Sequence, residues 1–239
     1  MSIATEIQRL QEAKADIKAA IEEKGVEVGN GLIDGYADKV DAVYDKGVTD
    51  GKKSQYDEFW DAFQQNGNRT NYRYAFYNIM WNDITYNPKY PIVCSANSSQ
   101  MFDYSGITDT KVDITVTMAG VGQLFKTQNL ITIKKLIVTE NVTFNQWFQN
   151  ASSLQNITIE GVIGNDIDLQ YSTMLTKESI ASIVNALSDT QGATLTLSKE
   201  AVNREFGSDT SDEWIKTIAD KVSSYNGVTY DGLWTISLV

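Results

Sequence analysis

The chain has 239 residues, a formal net charge of −11, a single cysteine and no histidine. This excess of carboxylates argues against nucleic acid and anionic membrane surfaces as partners, because both repel an acidic protein. Without histidine, and with one cysteine, the chain lacks the commonest general base and the usual zinc ligands, so we expect no metal, no cofactor and no catalytic residues.

No apolar run approaches the roughly 18 residues that a membrane span needs, so we expect no membrane insertion. The N-terminal stretch, MSIATEIQRL, lacks the basic and apolar regions of a signal peptide. The lone cysteine, Cys94, is expected to be a buried free thiol.

Residues 3–24 are predicted to form a helix with an apolar stripe. Isoleucine and leucine recur there at heptad spacing, at Ile3, Ile7, Leu10, Ile17 and Ile21. Such a stripe either joins several copies of a chain as a coiled coil or lies on a core. Because a helix of about 20 residues is marginal alone in water, we expect self-association. Isoleucine at both core positions of the heptad favours a trimer or tetramer.

Two more helical stretches are predicted, over 30–46 and 54–65, separated by Gly47 and Gly51. The first has a possible cap at Asn30 and an apolar stripe of Leu32, Tyr36, Val40 and Val43. The second has an aromatic face of Tyr56, Phe59, Trp60 and Phe63, which is typical of core packing. We therefore expect residues 1–66 to be a helical attachment or oligomerisation region.

The stretch 71–90 is the most aromatic of the chain. Its candidate binding or interface residues are Tyr72, Tyr74, Trp81, Tyr86 and Tyr90. Tyrosine and tryptophan add contact area at low entropic cost, and they suit both sugar recognition and subunit interfaces. The alternative is that many of these rings cap the core of the region that follows.

A repeat follows in the middle of the chain. Phe102, Phe125 and Phe148 recur at one equal interval, and a strand-like run follows each one. A fixed period in the twenties is typical of leucine-rich repeats, in which one strand per unit pairs with its neighbours and apolar side chains stack inward. We expect the three rings to share one core.

The segment WFQNASSLQNITIEG resembles a BspA-type leucine-rich repeat. The matching positions are Phe148, Asn150, Ser153, Leu154, Ile157 and Ile159. Ala151 stands where the family has cysteine, and Gly161 lies near its usual proline. The resemblance implies a degenerate leucine-rich-repeat-like β solenoid over 67–190.

Two further segments are similar to parts of bacteriophage structural proteins. Residues 172–198 resemble the closing segment that follows such repeats in tail and appendage proteins, and residues 2–26 resemble a helical module that opens minor structural proteins. These likenesses imply a virion protein, assembled in the host cytoplasm, and they carry no catalytic motif.

Acidic pairs are the only candidates for catalysis. Asp166 and Asp168 alternate with Ile167 and Leu169, so both should lie on the outward face of one strand. Glycosidases use two carboxyl groups at a defined separation. Asp103, Asp109 and Asp113 form another acidic group. A solvated strand face explains such pairs without catalysis, so we expect the chain not to be an enzyme.

The sequence as a whole predicts an α+β fold. N-terminal helices, forming a short coiled coil, would precede a leucine-rich-repeat-like β solenoid with a helical C-terminal cap over 191–239. The expected function is a virion appendage or fibre of tail, baseplate or head, with itself and other virion proteins as partners and host-surface glycan or protein as the class of ligand. The alternatives are a bacterial cell-surface adhesin, which the lack of a signal peptide disfavours, and a glycan-degrading enzyme.

Overall fold

The computed structural model describes residues 3–29, 36–81 and 86–239. Asn30 and Leu32, to which the sequence assigns a helix cap and part of a stripe, lie outside the described residues, as does the side chain of Tyr36. The chain divides into two compact units, Met1–Glu58 and Phe59–Val239.

The first unit contains helix α1 (Ile3–Glu23) and most of helix α2 (Tyr36–Phe63). Its small core consists of buried Ile21 and Val28, against which the half-buried Val26 and Val43 pack. Lys18 Nζ donates to the carbonyl of Gly29 over 2.6 Å, which ties the turn after α1 back to the helix.

Helix α2 runs without a break through Gly47 and Gly51, so the prediction of two separate helices in this stretch is wrong. Glycine inside a helix costs only about 0.5–1 kcal/mol relative to alanine, which neighbouring helical residues can offset. One local contribution is the ion pair between Lys46 Nζ and Asp50 Oδ2, at 2.6 Å.

The prediction that the N-terminal helices form a short coiled coil is also wrong. Along α1, Ile3, Ile7, Leu10 and Ile17 are exposed, and only Ile21 is buried. Heptad spacing indicates an apolar face on a helix, but it does not specify what covers that face. Ile21, in the last turn of α1, belongs to the buried apolar cluster of the first unit.

The second unit begins at the end of α2, continues through a short 3₁₀ helix (Gln65–Gly67), and contains two parallel sheets. The first sheet consists, in order, of β1 (Ile92–Cys94), β2 (Asp113–Val116), β3 (Thr132–Val138) and β4 (Asn156–Gly161). Ile92 pairs with Ile114, Ile114 with Leu136, and Leu136 with Ile159. The register shifts once between β3 and β4, after Ile133.

These strands form because β-branched residues alternate with polar ones. In β2, Ile114 and Val116 are buried whereas Asp113 and Thr115 are half-buried, which is the period of two that a sheet with one covered face requires. In β4, Ile157 and Ile159 are buried and Thr158 is exposed. The same alternation directs one set of side chains from every strand into a common core.

The second sheet has the order β5 (Ile167–Leu169), β6 (Thr194–Leu197) and β9 (Thr235–Leu238), all parallel. Helices α3 (Lys177–Asn185), α4 (Lys199–Phe206) and α5 (Asp212–Ile218) lie in its connections, with the antiparallel pair β7 (Ser224–Tyr225) and β8 (Val228–Thr229). A hydroxyl side chain caps the start of each of these three helices: Thr176, Ser198 and Ser211.

The rings of Phe102, Phe125 and Phe148 lie in one buried column, as their equal spacing predicts. Adjacent ring centroids are 5.8 and 5.7 Å apart, with nearly parallel planes. Phe76 extends the column by stacking on Phe102 at 5.0 Å.

The predicted α+β class with a leucine-rich-repeat-like β solenoid is nevertheless wrong. The described chain is a mixed α/β protein with small parallel sheets of four and three strands. The sequence interval between paired strands is short in the first sheet, as from Ile92 to Ile114, and longer in the second, as from Leu195 to Ile236. Helices occupy these longer connections, so no uniform repeat continues into the second sheet.

Candidate functional site

The apolar stripe of α1 is the first candidate surface. Ile3 is 82% exposed, Ile7 51%, Leu10 55% and Ile17 43%. The flanking polar side chains pair with each other along the helix, as Arg9 does with Glu6 and Gln8 with Glu12. These polar groups pair with one another, whereas the isoleucines contact water. The exposed stripe of α1 therefore favours an apolar partner.

The aromatic candidates of the stretch 71–90 separate into core and surface residues. Tyr72 and Tyr86 are almost fully buried, at 1% and 2% exposure. The hydroxyl of Tyr86 donates to the carbonyl of Thr110 over 3.2 Å, and burial raises the pKa of Tyr86 well above its usual value. Trp81 is half-buried and packs against Phe76 with ring centroids 5.9 Å apart. These three residues act in core packing.

Two other aromatic candidates reach the surface. Tyr74 is 47% exposed and lies edge-on to Tyr77, 5.7 Å away. Tyr90 is half-buried, and its hydroxyl donates to Asp61 Oδ1 over 2.6 Å. This hydrogen bond is the largest cause of the lowered pKa of Asp61, to which Lys89 also contributes. The structure therefore does not bring the five aromatic candidates together as one surface.

A groove of about 690 Å³ lies on the second unit. One wall is the segment 143–149, and the other is made by residues 165–171, which include β5, and by Thr194 and Thr196 of β6. Asp166 and Asp168 are exposed whereas Ile167 and Leu169 between and after them are buried, which confirms the predicted alternation on this strand. The outward side chains of β5 thus contribute to the groove.

Both carboxylates are held in place by neighbouring groups. Asp166 Oδ1 accepts a hydrogen bond from the backbone N–H of Thr194 over 2.7 Å. Asp168 accepts two from Gln170, one from the backbone N–H at 2.9 Å and one from Nε2 at 2.7 Å. Thr196 lies directly opposite Asp168 in the parallel register. These hydrogen bonds restrict the positions of the two carboxyl groups that line the groove.

The opposite wall is anchored through its aromatic residues. Phe144 and Trp147 are buried, with ring centroids 4.7 Å apart, and Trp147 Nε1 donates to the carbonyl of Val121 over 2.5 Å. Gln146 Oε1 accepts from Gln123 Nε2 at 2.8 Å. Because the large rings point into the core, the segment presents the amides of Asn145, Gln146 and Gln149 to the groove.

Sequence reasoning found the two aspartates of this groove but not the rest of it. Gln149, Tyr171 and Thr196 come from segments that only the tertiary structure brings together. The available signal was the run of amide side chains around Phe144 and Phe148, TFNQWFQN, which is unusually polar for a segment with three buried rings.

In comparisons with known proteins, no family model, no curated protein and no solved structure matched the chain. Across residues 3–29, 36–81 and 86–239, no helix is both long and apolar enough to cross a membrane. In the same described ranges, no three Cys, Asp or Glu side chains are grouped as a metal site would require.

Proposed function

We propose that this chain is a non-catalytic structural protein of a bacteriophage particle, an appendage or fibre of tail, baseplate or head. In this proposal the first unit attaches the chain through α1, and the second unit is presented to the host surface. The phage assignment is based on the likeness of residues 2–26 and 172–198 to segments of such proteins.

The observation that carries the attachment role is the exposed stripe of Ile3, Ile7, Leu10 and Ile17. Large apolar side chains at this spacing are normally covered, because exposing them to water forgoes about 1.5–3 kcal/mol each. We propose that further copies of this chain cover the stripe in a small oligomer such as a trimer. Other virion proteins would then contact the assembled helices.

Sedimentation equilibrium of the full chain tests this self-association. We expect an oligomer for the wild type and a smaller species for Ile7→Asp, because a charge at the centre of the covered stripe costs several kcal/mol. Val40→Asp is the matched control, since Val40 is an equally exposed apolar residue on α2, and this variant should remain oligomeric. A wild-type monomer at micromolar concentration, or equal effects of the two changes, contradicts the proposed interface.

Virion membership is tested separately, by immunogold labelling of purified particles from a phage that encodes the chain. Gold at one defined position on the particle supports the proposal and locates the protein. Particles without label, with abundant protein left in the soluble fraction of the lysate, contradict it.

The non-catalytic part of the proposal is tested by incubating the protein with oligosaccharides and analysing the products by mass spectrometry. We expect no cleavage. Hydrolysis that Asp166→Asn or Asp168→Asn abolishes would instead identify a glycosidase.

A further inference from the structure

The groove of the second unit has the size of a small-molecule site but an unusual lining. Its volume of about 690 Å³ lies inside the range of about 300–1,000 Å³ that is common for ligand sites. Most such sites are lined by apolar side chains, whereas here Phe144 and Ile167 turn inward and are only 4% and 1% exposed. Polar and apolar atoms contribute about equally to the lining, so a ligand would be held by hydrogen bonds together with limited apolar contact.

The lining offers donors and acceptors in a mixture that suits hydroxyl groups. The amides of Asn145, Gln146 and Gln149 each contain both a donor and an acceptor, as does the hydroxyl of Thr196. A carboxylate has about four acceptor sites, and Gln170 uses two of those on Asp168. A sugar hydroxyl both donates and accepts, so it can bond every one of these groups.

Tyr171 adds an apolar face to the polar lining. Its side chain is 43% exposed and borders the groove directly after β5. An aromatic ring that is wet on one side can cover the C–H face of a sugar ring while its hydroxyl stays hydrated. A pyranose presents hydroxyl groups at its edge and C–H groups on its face. Polar side chains around one exposed aromatic ring match these two surfaces.

The charge of the groove selects among saccharides. Asp166 and Asp168 line it, and no lysine or arginine is among its lining residues. With a net charge of −11 on the whole chain, the local potential disfavours uronic acids, sialic acids and phosphate-bearing polymers. Neutral sugars carry no such penalty, and their hydroxyl groups can donate to the carboxylates.

We infer that this groove binds a neutral oligosaccharide, with Asp168 and the amides of the 143–149 segment bonding its hydroxyls and Tyr171 packing on one sugar ring. The inference deepens the proposed function and rests on it for the source of the ligand, the neutral glycans of a host surface. The lining of the groove by itself indicates where the ligand binds and which chemical groups it has.

Isothermal titration of the full chain tests the site, with chitotetraose, cellotetraose and maltotetraose as neutral probes and tetragalacturonate as the anionic one. We expect at least one neutral probe to bind and the anionic probe not to bind. Tyr171→Ala and Asp168→Ala should each weaken binding about tenfold or more. Tyr44→Ala and Asp220→Ala are matched controls, because they remove an exposed tyrosine and an exposed carboxylate outside the groove, and they should leave affinity unchanged.

Asp168→Asn distinguishes loss of recognition from loss of folding, since it preserves the shape of the side chain and should weaken binding without lowering the denaturation midpoint. The inference is overturned if no neutral probe binds at about millimolar concentration. It is equally overturned if the anionic probe binds better, or if the groove and control variants weaken binding alike. Oligomer formation through α1 is measured separately, by sedimentation equilibrium. The oligomer proposal and the saccharide proposal can therefore fail independently.

Discussion

Phe125 stacks on Phe102 with ring centroids 5.8 Å apart and ring planes only 10° apart. On its other side it stacks on Phe148 at 5.7 Å, and its own exposure is zero. The ring thus fills the centre of the column behind the first sheet, where no solvent can replace it. Any loss of its volume leaves a cavity between two other rings.

We expect Phe125→Ala to lower the free energy of unfolding by about 3–5 kcal/mol, through lost burial and the cavity that remains. Phe125→Leu should cost less, because it keeps most of the volume. Urea denaturation followed by tryptophan fluorescence measures both. The control is Tyr171→Ala, which removes an aromatic ring that is 43% exposed and should shift the midpoint little. Equal shifts for Phe125→Ala and Tyr171→Ala would contradict the packing described.

Gly161 cannot be replaced without moving the main chain. Its φ is +100°, and an added Cβ would lie 2.0 Å from the carbonyl oxygen of Val138, its partner on β3. Gly207 has a similar φ of +81° but nothing within 4 Å of the Cβ position. Gly207→Ala should therefore cost about 1–2 kcal/mol of backbone strain. Gly161→Ala should cost at least about 2 kcal/mol more, because the steric clash adds to that strain. Thermal denaturation of the pair measures the difference, and identical losses would show that β4 adjusts freely.

Asp103 is a carboxylate with an incomplete set of partners. It is 1% exposed; Oδ2 accepts from Gln100 Nε2 at 3.3 Å, and Oδ1 has no partner among the described residues. Burial raises the pKa of Asp103, so the folded state binds a proton here more readily than the unfolded state. The charge therefore destabilises the fold at pH 7, and this penalty disappears as the pH falls through the raised pKa.

Asp103→Asn should accordingly stabilise the second unit at pH 7, because the amide keeps the shape of the carboxyl group without the buried charge. The advantage of the variant should shrink as the pH is lowered toward about 4. Denaturation midpoints across this pH range measure it, with Asp220→Asn as the exposed control. A variant less stable than wild type at pH 7 would show that the carboxylate is needed in its ionised form.

Cys94 is the only cysteine, and it is fully buried on β1. The sequence-based expectation of a buried free thiol is confirmed. Burial raises the pKa of the Cys94 thiol from 9.0 to about 11, against a smaller opposite effect from Ser98. Because the folded state keeps the proton, stability from this group is intact below pH 9 and is lost between about pH 9 and 11.

Alkylation with iodoacetamide measures the thiolate directly. At pH 8 we expect the folded chain to react at least about a hundredfold more slowly than the chain in urea, because the raised pKa of Cys94 lowers the thiolate fraction by about that factor. Comparable rates in both states would mean that β1 opens readily.

The sequence predicts the local features of the fold better than its architecture. The spacing of Phe102, Phe125 and Phe148 predicts the ring column, since identical spacing places identical side chains in neighbouring connections. It does not predict the second sheet, because the length of a connection such as that from Leu195 to Ile236 depends on helices that the phenylalanine spacing does not describe.

The candidate groove shows the same difference between local features, which the sequence predicts, and tertiary arrangement, which it does not. Alternation around Ile167 predicts that Asp166 and Asp168 point outward, because the period of a strand is a local property. Gln149 reaches the same groove only through tertiary packing, for which no local pattern exists. Similarly, heptad spacing predicts the apolar stripe around Ile7, but not that the stripe is exposed in this chain, and its partner stays a prediction.

The parallel pairing described above also has a kinetic consequence. Ile92 pairs with Ile114, and every other pairing within the two parallel sheets joins positions at least as distant in sequence. A strand of these sheets can therefore pair only after a segment distant in sequence has been synthesised. Closing the intervening loop costs conformational entropy before the strand pairing contributes any stability. The second unit should therefore fold more slowly than a helical protein of the same length, whose contacts are mostly local.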